Sequence, residues 1–245
     1  MIRISAVSYL NTIPFIYGLK QSQLIDNIDL QLDYPSVCAD KLINNEVDLA
    51  LVPVVVIPTL EDPAHIISDY CIGANGAVET VCLYSDVPIN KIEKITLDYQ
   101  SKTSVALLKI LLQEYWNLNP ELIDSEEGFE QEISGQNAAL VIGDRAFDLN
   151  KRHQYIYDLS AIWKKMTGLP FVFAAWVANK NLSNSFVTKF NKALEKGLND
   201  IDKALIQEGC NFPQCESPRD YLNNKISYRL DSKKLEGMDL FFKKI

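Results

Sequence analysis

Apolar positions along the chain alternate between two spacings. Residues 2–8 form a short β-rich run, and Asn11-Thr12-Ile13-Pro14 then opens a helix, with a polar residue ahead of a proline. Residues 29–34 read as a second strand, and Ser36 as the cap of a helix through Asn45. Residues 48–52 form a short buried strand with Pro53 at its end, and 77–85 form another. A second block starts near Val87-Pro88 with a strand at 94–97. Ser101-Lys102-Thr103-Ser104 then leads into a helix with Val105, Leu108, Leu111 and Leu112 at helical spacing. A buried strand at 138–142 ends at Gly143-Asp144, and 171–178 is the next clear strand. The rest reads as helical, over 183–207, 218–224 and 231–244.

Strands alternating with helices imply an α/β protein with largely parallel sheets. The C-terminal helices have no strand partner of their own, so they are expected to pack back on the first block. That predicts two lobes, residues 1–86 with 175–245 and residues 87–174. The chain would cross between them twice, near 85–87 and 167–175.

Composition narrows the function classes. The net charge of −8 disfavours a nucleic-acid or anionic-membrane surface. The longest apolar run, 49–60, is broken by Pro53 and Pro58 and falls short of the roughly 20 residues that span a bilayer. The first residues read as a strand rather than a secretory signal, which predicts a cytoplasmic location. Of the five cysteines, no two form Cys-x-x-Cys, and there are only two histidines. Reduced, mostly buried thiols are expected, and neither metal nor cofactor.

In open α/β sheets, ligands bind beyond the carboxyl ends of the strands. Residues 8–11, Pro53, 101–104 and Gly143-Asp144 all fall there. Two of these points open helices, whose N-termini attract carboxylates. One such terminus per block suits a ligand with two carboxylates. The same residues also read as plain helix caps: Asn11 and Thr12 in one block, Ser101 and Thr103 in the other. Asp144-Arg145 reads as a structural ion pair or a substrate contact. His65 and His153 read as surface residues, Trp163 and Trp176 as core. No phosphate loop or nucleophile elbow is present.

Several segments resemble those of one enzyme family. Ser8-Tyr9-Leu10-Asn11-Thr12-Ile13-Pro14 resembles the opening S-Y-L-N-x-x-P of the chorismate dehydratases of the futalosine route to menaquinone. Residues 48–53 resemble their D-x-A-L-x-P turn, 101–107 their S-R-T-S-V-x-L helix start, and 142–146 their I-G-D-x-A. Asp158-Leu159, Trp163 and the stretch from Thr167 through Trp176 are similar as well, so the likeness covers most of the chain in order. Lys102 stands where the family pattern has arginine, which keeps the charge and loses bidentate carboxylate binding.

The resemblance implies a two-lobed periplasmic-binding-protein fold of type II, with a central cleft and two interlobe crossovers. It implies conversion of dianionic chorismate to 3-[(1-carboxyvinyl)oxy]benzoate and water, without metal or redox cofactor. Asn11 and Ser101 would be catalytic. Ser8, Tyr9, Pro53, Lys102, Thr103, Ser104, Gly143 and Asp144 would bind substrate. No general base is evident in these motifs, so the substrate's own enolpyruvyl carboxylate is the expected base. Two alternatives stand beside this reading. One is the sister enzyme that forms 1,4-dihydroxy-6-naphthoate, whose His-Glu pair is missing where this chain has Gly143-Asp144. The other is a non-catalytic binding protein for a small carboxylate, which the fold alone permits.

Overall fold

The computed structural model describes residues 1–208, 212 and 214–245. The chain runs β1 (Ile2–Val7), α1 (Ile13–Lys20), β2 (Ile28–Asp33), α2 (Pro35–Ile43), β3 (Leu49–Pro53) and β4 (His65–Ala74). It continues with β5 (Val81–Ser85), β6 (Lys94–Leu97), α3 (Lys102–Leu111), β7 (Glu121–Asp124), β8 (Asn137–Ile142) and α4 (Ala146–Leu149). Then come β9 (Tyr155–Asp158), α5 (Leu159–Thr167), β10 (Phe171–Ala178), α6 (Asn184–Asn199) and α7 (Ile201–Glu208). The described chain ends with α8 (Pro218–Asp220), a π turn Tyr221–Lys225, and α9 (Ser232–Lys244).

Two five-stranded sheets result, in the orders β2-β1-β3-β10-β4 and β7-β6-β8-β5-β9. Both are mixed, which corrects the expectation of largely parallel sheets. β10 runs antiparallel to β3 and β4, and β5 antiparallel to β8 and β9. The lobe limits shift for the same reason. Strand 81–85, expected in the first lobe, is inserted between β8 and β9 with Val81 opposite Ile142. All of β10, including residues 171–174 expected in the second lobe, belongs to the first sheet, with Ala174 opposite Pro53. The chain therefore crosses between β4 and β5, through Gly76 at φ +132°, and again between α5 and β10. Antiparallel pairing at each crossing lets one strand enter a sheet directly, without a helical connection.

The C-terminal helices pack on the first sheet as expected. Trp176 of β10 is fully buried between Phe15 of α1 and Phe190 of α6, at ring-centroid distances of 6.0 and 5.1 Å. Trp163 is likewise core, between Phe171 and Phe241 at 5.3 and 6.3 Å. α1 and α6 touch through glycines: a Cβ added to Gly197 would lie 1.7 Å from the Pro14 carbonyl oxygen, and one on Gly18 would lie 1.9 Å from that of Ala193. Cys38, Cys71, Cys82 and Cys215 are buried free thiols, and burial pushes Cys38 and Cys71 up to about 12. Cys210 lies outside the described residues. Ser36 caps nothing: α2 begins at Pro35 behind Tyr34, without a side-chain cap.

Candidate active site

The carboxyl ends of β1, β3, β6 and β8 face one another between the lobes. After β1 the chain makes a 3-10 turn, Leu10–Thr12, directly into α1, with Pro14 in the first turn. Neither Tyr9 nor Thr12, the residues at the two starting positions, makes a side-chain cap. The Leu10 N–H crosses the cleft instead and donates to both Asp144 carboxylate oxygens, at 3.2 and 3.1 Å. Asn11 is buried; its Oδ1 accepts from Thr12 Oγ1 at 3.0 Å and its carbonyl from the Tyr228 phenol at 2.9 Å. The capping alternative thus falls for Asn11 and Thr12.

In the other lobe it divides. Ser101 is the cap of α3: its Oγ accepts from Ser104 N–H at 3.1 Å. Thr103 is not, because its Oγ1 accepts from Val55 N–H across the cleft at 3.3 Å.

Between the lobes lies a small cavity of about 50 Å³. Tyr9, Asn11 and Pro53 line it from the first lobe. Ser101, Thr103, Ser104 and Gly143 line it from the second. Ser8, Lys102 and Asp144 do not line it. Ser8 is half-buried and its N–H pairs with the Asp33 carbonyl. Lys102 reaches out to Asp40 of α2, at 2.6 Å, in an exposed ion pair between lobes. The arginine-to-lysine difference therefore sits on an interlobe contact. Asp144 stands behind the turn that carries Asn11.

Sequence reasoning missed Pro35 and Thr80, which also line the cavity. Pro35 opens α2 just past the end of β2, a helix-start signal that the reading of Ser36 as the cap passed over, and Thr80 directly precedes β5 without a local signal of its own. Phe173 and Ala174 line it too, and they fall inside the long stretch of family likeness.

The walls are fixed by a polar network. Asp98 is fully buried at its side chain and accepts from Gln100 N–H and Ile142 N–H at 2.9 and 2.8 Å. One guanidinium nitrogen of Arg145 meets both its oxygens, at 2.9 and 2.7 Å. Arg145 also pairs with Glu130 and lies over the Tyr99 and Phe129 rings, 5.5 and 5.6 Å from their centroids. Its partner is therefore Asp98 rather than the adjacent Asp144. Burial raises the Asp98 carboxyl, and the charge of Arg145 opposes that.

The Tyr9 phenol donates to Gln100 Oε1 across the cleft, and burial holds it protonated. Its ring presses on Gly143, where an added Cβ would come within 2.7 Å. Gly143 also adopts φ +68°, so glycine is required there twice over. Asp144 has no basic partner beside it: burial lifts its carboxyl to about 7, with only the Leu10 N–H opposing. His65 is exposed, and His153 pairs with Asp86 well away from the cavity lining.

Among the described residues, no carboxylate, imidazole, amine or guanidinium lines the cavity. Its polar groups are the Asn11 amide, the Tyr9 phenol, and the hydroxyls of Thr80, Ser101, Thr103 and Ser104. The N-terminus of α3 opens among the last three. Such a surface can hold carboxylates by hydrogen bonds and the helix dipole, and can orient a hydroxyl. Among the described residues, no three His, Cys, Asp or Glu side chains converge as metal ligands would.

A two-lobed α/β molecule with its cavity at facing strand ends is built as the periplasmic binding proteins are. The fold is shared with a Candida albicans protein described as having the generic periplasmic-binding-protein fold, at TM-score 0.64, 10% identity, and coverage of 99% of this chain and 89% of that one. It is also shared with an Archaeoglobus fulgidus protein at TM-score 0.78 and 13% identity, covering 99% and 96%. Residues 2–245 match the family described as menaquinone biosynthesis, and the chain belongs to that family. A chorismate dehydratase of Thermus thermophilus is 32% identical over 152 residues, a match spanning 55% of each protein. One of Campylobacter jejuni is 25% identical over 244 residues, 97% of this chain and 94% of that protein.

Proposed function

We propose that this chain dehydrates chorismate to 3-[(1-carboxyvinyl)oxy]benzoate in menaquinone biosynthesis. Family membership and two relatives of that name support the assignment. The observation that carries the mechanism is the cavity lining, which holds hydrogen-bonding groups from both lobes and, among the described residues, no carboxylate, imidazole or amine. A reaction that needs no protein base fits such a lining.

The enolpyruvyl carboxylate of the substrate takes the proton from the ring carbon that bears the ether. That C–H electron pair becomes part of the aromatic ring as the bond to the neighbouring hydroxyl breaks. Proton and hydroxide leave together as water. Aromatisation drives the step, so the protein's contribution is orientation and stabilisation of developing charge. Asn11, on the first lobe, orients the substrate and the leaving hydroxyl with its amide. Ser101, Thr103, Ser104 and the α3 terminus hold a carboxylate from the second lobe, and Tyr9 and Gly143 set the cavity's depth. Lys102 and Asp144 act outside the cavity, on closure and on the Asn11 turn. A cytoplasmic location suits a biosynthetic enzyme of this family.

The test is incubation of the purified protein with chorismate, with product followed by chromatography. Aromatic product and equimolar loss of chorismate are expected. Binding without turnover would favour a carboxylate-binding protein.

A further inference from the structure

The Asn11 carbonyl is held from a distant part of the chain. Pro14, three residues on, has no N–H to offer it. The buried Tyr228 phenol donates instead, at 2.9 Å. The Tyr228 ring packs edge-on against Phe15 of α1, with centroids 5.2 Å apart, so ring and hydroxyl bear on the same turn. Burial raises the phenol and keeps it a donor.

Tyr228 stands on a fixed platform. Residues 227–230 run along β4, an edge strand of the first sheet. The Ser227 N–H donates to the Gly73 carbonyl at 2.8 Å, the Cys71 N–H to the Tyr228 carbonyl at 2.7 Å, and the Leu230 N–H to the Asp69 carbonyl at 2.8 Å. Tyr70 and Arg229 form an antiparallel bridge among these bonds. Lys234 of α9 grips the same segment. Its side chain is buried, and Nζ donates to Ser227 Oγ and to the Arg229 carbonyl, both at 2.7 Å. A buried ammonium is costly unless its donors are used, and here they are used to hold the residues on either side of Tyr228.

The contact acts on one peptide plane. The Thr12 N–H donates to the Tyr9 carbonyl at 3.0 Å, inside the turn. The peptide between Asn11 and Thr12 is therefore held at both its polar ends, by Tyr9 and by Tyr228. A planar peptide fixed at both ends sets the backbone torsions on either side of it. It thus places the Thr12 hydroxyl, which donates to Asn11 Oδ1 at 3.0 Å. With Oδ1 so taken, the NH2 is the donor the Asn11 amide has for a ligand.

We propose that Tyr228 is a positioning residue for the dehydration: through the Asn11 carbonyl it fixes where the Asn11 amide stands against the leaving hydroxyl. The inference rests on the dehydratase reading and gives that site a support outside the cavity lining.

The experiment compares wild type, Tyr228→Phe, Asn11→Ala and the double variant. Tyr228→Phe keeps the ring that packs on Phe15 and removes only the hydroxyl. Chorismate consumption gives kcat and KM, with enzyme concentration raised for the two Asn11→Ala proteins. Affinity for the aromatic product, which lacks the leaving hydroxyl, is titrated on the same samples, with thermal melts. Tyr228→Phe is expected to lower kcat by about tenfold, as misplacement of a catalytic contact does. Product affinity should stay within about threefold, because the lost contact serves the transition state. In the Asn11→Ala background the same change should lower kcat by less than about twofold, the non-additivity of coupled neighbours. Parallel losses of kcat and product affinity, or an equal fractional loss of kcat in both backgrounds, would make Tyr228 merely structural and overturn the proposal. So would wild-type kcat in Tyr228→Phe when wild type consumes chorismate. A wild type that consumes no chorismate overturns the dehydratase reading first and this inference with it.

Discussion

Asn11 starts no helix by its side chain, so changing it separates chemistry from folding. Asn11→Asp keeps the oxygen that accepts from Thr12 and loses the NH2. It also adds a negative charge to a cavity that, among the described residues, no cation lines. Two unit charges about 4 Å apart repel by roughly 4 kcal/mol at an effective dielectric of about 20. Turnover of a dianion should fall at least a hundredfold at neutral pH while the melting temperature moves by only a few degrees. Kinetics and a thermal melt on one preparation check this, and wild-type turnover would remove Asn11 from the site. Asp144 makes a different prediction. Its carboxyl is lifted from 3.8 to about 7 by burial. Below about pH 4 the folded and unfolded chains both hold this proton, so the group contributes nothing there. Between about pH 4 and 7 the folded chain keeps a proton that the unfolded chain has released, so stability falls as pH rises. Above 7 the loss is complete, at most about 4 kcal/mol by roughly 1.4 kcal/mol per pKa unit. Asp144→Asn preserves an acceptor for Leu10 N–H and cannot ionise. Its melting temperature should match wild type near pH 4.5 and exceed it at pH 8. An equal gap at both values would mean Asp144 ionises normally.

At the scale of elements, α1 links the site to the core. The Asn11 turn runs straight into it, and α6 crosses it with backbone against backbone at Gly18 and Gly197. Gly197→Ala forces the helices apart, since the new Cβ would sit 1.7 Å from the Pro14 carbonyl oxygen. Overpacking of this kind costs about 1–3 kcal/mol or more, and the helix it presses on, α1, is the one the Asn11 turn runs into. The urea midpoint should drop, and turnover measured well below the transition should drop as well. A lower midpoint with full activity would show that α6 absorbs the shift. How much of this architecture was legible follows from where each signal resides. The strands at Lys94–Leu97 and Phe171–Ala178 match their expected limits, and the α3 start at Ser101 was correctly marked by its capping serine. β4 went unread because it is buried on both faces toward its end and shows no clean alternation. β7 and β9 are four-residue edge strands, too short to carry a period. Which sheet β5 joins depends on pairing with β8 and β9, and its own residues do not state that. The same limit hid Thr80, which lines the cavity, and Tyr228, which holds the Asn11 carbonyl from far along the chain.

For the whole molecule, the question is what holds the lobes together over the cavity. Four of the contacts between the lobes are Tyr9 to Gln100, Leu10 to Asp144, Val55 to Thr103, and Lys102 to Asp40. Three are buried or half-buried and lie within two residues of the cavity lining. The fourth is at the surface, with 42% and 55% of its side chains exposed. Exposed pairs of this sort contribute about 0–1 kcal/mol and are screened by salt over a Debye length of roughly 8 Å at physiological ionic strength. Lys102 therefore biases closure weakly and from a distance. A substrate ligand would behave otherwise, because removing a charged partner from a bound carboxylate costs several kcal/mol. Lys102→Met is expected to raise KM by less than about fivefold, to leave kcat within twofold, and to differ from wild type less at 0.5 M than at 0.05 M potassium chloride. Asp40→Asn should reproduce the effect, and the double variant should add nothing, since both break the same pair. Steady-state kinetics of the four proteins at the two salt concentrations decide it. A fall in kcat of tenfold or more in Lys102→Met, with Asp40→Asn unaffected, would return the lysine to the substrate and leave closure to the three inner contacts.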